Sequence, residues 1–264
     1  MPIRDIVIDA SPKEGIEQLF SWVDRFNERL QARLSCVSYA WPKSDLEEAL
    51  LNPLGTAGFE RRMEMEIASV RDAGTKILKS PDTSWCTGIA QPDDAILDHL
   101  HTADMLVSIA GSSRQCVTPD PIDLAVRSGT PVLRLKSGIK AAPIGVAVVA
   151  WKDGAAARHA LHASRALLAL ANEIQVVGVG DEVAMRRLDE VVDFLRRSGL
   201  PARAIHLPDP KGRPGEVIID HALASGADIV ISGARSERTL RDRLFGNATR
   251  QFTQCSELSW YMTG

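Results

Sequence analysis

The sequence predicts an α/β protein of two tandem doubly wound domains, each a parallel sheet with helices on both faces. Three observations predict it. Short apolar strands alternate with amphipathic helices along the whole chain, the order of a parallel sheet covered on both sides. The stretch Ala103-Asp104-Met105-Leu106-Val107-Ser108-Ile109-Ala110-Gly111-Ser112-Ser113-Arg114 lines up without gaps on Ala227 to Arg238, 124 residues later, with Ala, Asp, Ser, Ala, Ser and Arg coinciding. A repeat of that period has the size of a domain. Finally, Ala227 to Gly233 reads as a buried strand ending in glycine, followed by an arginine-rich loop and by Gly246-Asn247 opening a helix. That is the layout of a phosphate cradle. Glycine lets the backbone come close to an anion, and a helix N-terminus supplies unpaired N–H groups and a positive dipole end.

Each element has its own signal. Ile3 to Asp9 is an apolar strand, and Ser11-Pro12 starts a helix carrying Ile16, Leu19, Phe20, Val23, Phe26 and Leu30 at helical spacing. Leu34 to Tyr39 is a second strand. A helix from about Phe59 to Ala73 buries Met63, Ile67 and Val70 and ends at Gly74. For the third strand, Thr75 to Leu78 competes with Trp85 to Ile89. Pro92-Asp93-Asp94 caps a helix through Leu100, Met105 to Ile109 is the repeated strand, Asp120-Pro121 opens a helix closed by Gly129, and Pro131 to Leu135 is a strand. Lys136 to Pro143 reads as a linker, which places the domains at 1–138 and 144–264. The second domain repeats the order. Its strands are Val146 to Trp151, Ile174 to Val179, Ala202 to Leu207, Asp228 to Ser232 and Leu258 to Met262; its helices are Ala155 to Ala171, Val183 to Arg197, one from Pro214-Gly215-Glu216, and Gly246 to Thr253.

Composition excludes several classes. A net charge of −3 argues against a general nucleic-acid binder. No apolar run approaches the roughly 18 residues of a membrane span, and the N-terminus enters a strand directly with no signal-peptide core. Cys36, Cys86, Cys116 and Cys255 are widely spaced and read as reduced cytosolic thiols, best explained as small buried hydrophobes.

The spacing Gly, two residues, Gly, nine residues, Gly, then Ser or Thr belongs to the nucleotide loop of the universal stress proteins, and this chain resembles that family. Gly233 and Gly246 match the first and last glycines; Ser236 stands at the middle one and Asn247 at the Ser/Thr. The turn after the first strand, the helix start at Gly215, the Ala227-Asp228 strand and the closing strand fall in family order. The resemblance implies the adenine-nucleotide α-hydrolase-like fold, a cytoplasmic stress-response role, and ATP or AMP as ligand. In ATP-binding members an Asp at the end of the first strand contacts the nucleoside. Asp9-Ala10-Ser11 matches that turn, whereas in the second half the place after Ala150-Trp151 is read as Lys152, with Asp153 next. Ile109 and Ile122 replace both glycines in the first half, so that half is expected to be a degenerate copy that binds nothing.

The candidate ligand set is therefore Gly233, Ser236, Gly246 and Asn247, with Arg235, Arg238 and Lys152 as further candidates for the phosphates. The segment from Gly233 to Arg250 holds five arginines against Glu237 and Asp242. Arginine forks match phosphate oxygens, and a solvated, internally paired loop is the alternative. His159 and His162 are three apart on a helix but lack accompanying ligands, so no metal site is expected. His221 reads as a surface residue, and no catalytic set can be assembled. The expected function is adenine-nucleotide binding as a signal, with slow hydrolysis left open; the alternative is a nucleotide-free protein-interaction module. Fusion of two copies implies an internal pseudo-dimer, with Val132 to Leu135 and Trp260 to Met262 near its contact; a homodimer is a further option.

Overall fold

The computed structural model describes residues 3–43, 56–139, 144–181, 183–209, 212–233 and 255–264. The elements in chain order are β1 (Asp5–Asp9), α1 (Ile16–Leu30), β2 (Arg33–Ala40), α2 (Thr56–Ile77), β3 (Thr83–Ile89), α3 (Pro92–Leu97), β4 (Met105–Ile109), α4 (Pro121–Ser128) and β5 (Val132–Leu135). They continue with β6 (Val146–Ala150), α5 (Ala155–Ala163), α6 (Arg165–Leu168), β7 (Glu173–Val179), α7 (Met185–Arg197), β8 (Ala202–Leu207), α8 (Pro214–Ala224), β9 (Ile229–Gly233) and β10 (Ser259–Thr263). Contacts divide the chain into two compact units. One takes in Ile3–Thr130; the other takes in Pro131–Lys136 and the described residues from 144 onward.

In the first unit the strand order is β3-β2-β1-β4, all parallel. The inner strands β1 and β4 are buried along almost their whole length, as in a parallel sheet covered on both faces, whereas the edge strand β3 is partly exposed. Ile6, Ile8, Leu34, Cys36, Val37, Met105, Leu106 and Val107 are almost entirely buried. Helix α1 turns Leu19, Phe20, Trp22, Val23 and Phe26 inward, at the three-and-four spacing read from the sequence. The second unit runs β5-β10-β9-β6-β7-β8. It too is parallel, except that β5 lies antiparallel to β10, with Trp260 opposite Arg134 and Met262 opposite Val132.

The repeated Ala-Asp dipeptide has a structural reason. Asp104 accepts the N–H groups of Arg4 (2.7 Å) and Asp5 (3.0 Å). Asp228 accepts those of Gly145 (2.7 Å) and Val146 (3.1 Å). In each half one carboxylate holds the start of the central strand, so part of the repeat signal belongs to strand anchoring and not to a ligand.

Several expected elements shift. The third strand is Thr83–Ile89, and the competing Thr75 stretch is the end of α2, which runs through Gly74 to Ile77. Gly74 does not stop the helix, because it gives room to a neighbour: a Cβ there would meet the Trp85 ring at 2.6 Å. The long alanine-rich helix breaks at Ser164 into α5 and α6. Helix α1 starts at Ile16, not at Ser11-Pro12; Gly15 precedes it in the left-handed region, at φ 80°. Residues 11–15 are thereby left as a loop. The expected helix from Gly246 to Thr253 lies outside the described residues. Pro131–Lys136, read from sequence as the end of the first half, groups with the second unit, in which β5 pairs antiparallel with β10.

Candidate functional site

In an open α/β sheet the ligand crevice lies beyond the carboxyl ends of the strands, where the strand order reverses. Each unit has one such point. In the first it falls between β1 and β4, at Asp9 and Ile109; in the second it falls between β6 and β9, at Ala150 and Gly233.

The first point is closed by the chain itself. Asp9 is fully buried, and its carboxylate accepts from the Lys13 ammonium, whose side chain is only 2% exposed. Ser108 at the end of β4 donates to the same oxygen at 2.7 Å, and Lys13 Nζ reaches Ser108 Oγ at 3.1 Å. The Ser11 N–H takes the other carboxylate oxygen at 3.1 Å. The two loops above the point are in direct contact. Glu14 N donates to Ser112 O at 3.0 Å, and a Cβ on Gly111 would lie 2.3 Å from Glu14 O. The Ile109 side chain sits where a Cβ on Gly15 would meet it at 3.1 Å. The α4 N-terminus, the place for an anion, is occupied as well: Asp120 accepts the N–H groups of Ile122 (2.8 Å) and Asp123 (3.4 Å). Asp93 in turn accepts the Asp120 N–H at 2.7 Å; burial pushes the Asp93 carboxyl above its ordinary range, against the pull of that bond.

The second point is built differently. Strand register sets the correspondence: Asp9 pairs with Val37 as Ala150 pairs with Val177, and Ala10 N donates to Val37 O as Trp151 N donates to Val177 O, both at 2.8 Å. Ala150 therefore stands at the place of Asp9, and Lys152 at the place of Ser11. The sequence reading put Lys152 in the aspartate's place; hydrogen-bond register, which a single sequence does not display, moves it two positions on. Lys152 is half-buried just past the end of β6. Asp153 pairs with Arg158 (3.3 Å) and Arg187 (3.5 Å) at exposed positions. Helix α5 opens at Gly154 without a side-chain cap. The indole Nε1 of Trp151 is buried and has no hydrogen-bond partner among the described residues.

Gly233 ends β9 as expected, but its space is already taken. A Cβ there would lie 2.6 Å from Ala156 Cβ and 2.7 Å from the Ala156 carbonyl carbon and oxygen. The glycine is required by the first turn of α5 packing on β9. Ser236, Gly246, Asn247, Arg235 and Arg238 lie outside the described residues, so of the predicted set the structure places Gly233 and Lys152. Sequence reasoning missed Lys13, Ser108 and Asp120 as the groups that close the first point. A lysine four residues after the strand-end aspartate was the available signal.

Other candidate groups are placed as follows. Among the described residues no cluster of His, Cys, Asp and Glu could hold a metal ion, and no helix is long and apolar enough to cross a membrane. Cys36 and Cys116 are buried, Cys255 is half-buried and Cys86 is exposed, against the expectation that all four are interior. Burial pushes the Cys36 thiol up to about 12, so it is no nucleophile near neutrality.

His221 is not a plain surface residue. Its Nε2 lies 2.7 Å from Oε1 of the buried Gln175, whose amide donates to Glu173, which also accepts from Arg203. The amide's orientation makes His221 Nε2 the donor. Burial first, and the Arg203 charge second, hold the His221 pKa below its ordinary value. The unfolded chain then binds more protons than the folded one as pH falls. Stability from this group is full above the unfolded value, near 6.5, and is lost as pH falls through the folded value. Denaturant midpoints between pH 8 and pH 5 are therefore expected to drop more for the wild type than for His221→Gln. Equal slopes would remove His221 from the network.

Comparisons with known proteins follow the geometry. No family model and no curated protein matches the chain. Solved structures do. A universal stress protein of Archaeoglobus fulgidus superposes with a TM-score of 0.75 at 11% identity, covering 98% of this chain and 96% of that one. The fold is that of the universal stress proteins. A candidate universal stress protein of Pseudomonas aeruginosa UCBPP-PA14 is similar at TM-score 0.56 and 17% identity, over 99% of this chain and 93% of that one. A protein of Pseudomonas aeruginosa PAO1 described as functionally unknown gives TM-score 0.56 at 16% identity, over 99% and 92%. With the universal stress fold in hand, the α/β class and the mostly parallel sheet order read from sequence stand.

Proposed function

We propose that this universal-stress-like chain is a cytoplasmic adenine-nucleotide-binding protein of the stress response, with its site beyond β6 and β9 in the second half. ATP or AMP serves there as a signal and not as a substrate for fast turnover. The observation that supports this reading is the asymmetry of the two switch points. The first is filled by Lys13, Asp9 and Ser108; in the second, Ala150 stands in the aspartate's place, Lys152 is half-buried just past β6, and α5 opens without a side-chain cap. Gly246, Ser236 and Asn247 are the proposed phosphate holders, with Arg235 and Arg238 as further cations. Fold alone does not fix this function.

Protein purified under mild conditions is assayed for nucleotide content and then titrated calorimetrically with ATP and AMP at low and high salt. One site per chain is expected, tighter for ATP and weakened by salt, because attraction between charges is screened. Lys152→Ala is expected to cost roughly tenfold in ATP affinity, the size of one hydrogen bond to a charged group. Failure of both nucleotides to bind selects the other reading, a nucleotide-free interaction module. Two observations favour that module: Ala150 stands where the aspartate would be, and Gly233 is occupied by Ala156.

A further inference from the structure

We propose that Lys13 is a built-in ligand: the first unit keeps a binding site for a primary ammonium group, and the chain fills it with its own side chain. The site lies at the β1/β4 switch point, where such sheets bind ligands. Its acceptors are the Asp9 carboxylate and the Ser108 hydroxyl, both buried, and both bonded to the Lys13 nitrogen. Nothing about packing demands this arrangement. A buried ion pair loses the hydration of both charges, and an apolar side chain of similar volume would fill the space without that loss. An ammonium is retained because Asp9 needs a donor once water is excluded. Lys13 has no helical geometry to bring it there. It reaches back from the loop of residues 11–15, which the left-handed Gly15 and the Glu14–Ser112 bond hold against β4. The side chain thus works as a tethered alkylamine, and the occupant class is a small primary amine in protonated form.

The inference is independent of nucleotide binding in the second half, and no nucleotide enters its test. In the full-length Lys13→Ala variant the site is vacated while Asp9 and Ser108 stay. The thermal midpoint of the variant is measured in propylammonium chloride and in tetramethylammonium chloride at equal ionic strength. Propylammonium, with N–H donors, is expected to raise it by about 3 °C at several times its dissociation constant; tetramethylammonium, with none, leaves it unchanged. The wild type responds to neither. Equal effects of the two salts on the variant, or no effect of either, overturn the proposal. Should the variant fail to fold, the wild type decides by acylation rates. Lys13 is expected to stay unmodified while Lys79, whose side chain is 83% exposed, reacts, and to become reactive in Asp9→Asn. Lys13 reacting as fast as Lys79 in the native wild type overturns it.

Discussion

Lys13→Met is expected to lower the unfolding free energy by about 3–5 kcal/mol, the usual cost of breaking a buried ion pair by removing one partner. The loss arises chiefly from Asp9, which is left charged, desolvated and short of a donor. Its remaining bonds come from Ser108 and from the Ser11 N–H. The double variant Asp9→Asn/Lys13→Met removes the stranded charge; the amide oxygen keeps the Ser11 N–H, and the amide N–H donates to the Ser108 hydroxyl, which turns from donor to acceptor. It is therefore expected to recover most of the loss, which makes the pair strongly non-additive. Urea unfolding of the four proteins in the cycle gives the coupling. Two losses that simply add would mean that Lys13 contributes only packing.

Gly233→Ala is expected to destabilise the second unit by about 1–3 kcal/mol, the range for overpacking a filled site. The added methyl meets Ala156 Cβ at 2.6 Å and the Ala156 carbonyl carbon and oxygen at 2.7 Å. Relief requires α5 to move off β9. Because two of the three close atoms are backbone, Ala156→Gly is not expected to rescue it. The loss is measured without nucleotide, which separates packing from binding: a variant with wild-type stability and impaired ATP titration would return Gly233 to the role of a phosphate neighbour.

Much of the fold was legible in the residues themselves. The inward face of α1 follows from the spacing of Leu19, Val23 and Phe26, because a helix repeats every 3.6 residues whatever surrounds it. The boundaries of β4, and the existence of β1 and β9, follow from short apolar runs. Gly74 was misread as a helix stop because its reason is the Trp85 ring, carried by β3 eleven positions later. Gly233 was read as a glycine that lets the backbone approach an anion; the neighbour that excludes a side chain in the structure is Ala156. The aspartate's counterpart was misplaced at Lys152 for lack of register.

By itself the sequence determined the α/β class, the alternation of strands and helices and the repeated Ala-Asp strand, all of which rest on local spacing and composition. The tertiary structure decided the rest. It set β5 antiparallel to β10, put Ala150 at the place of Asp9, and turned Lys13 back onto a carboxylate and a hydroxyl that lie on separate strands. Ser108 and Asp9 are 99 residues apart in the chain. Strand pairing and burial bring them together, and only then does an ammonium four residues from the aspartate become its partner instead of a solvated surface charge.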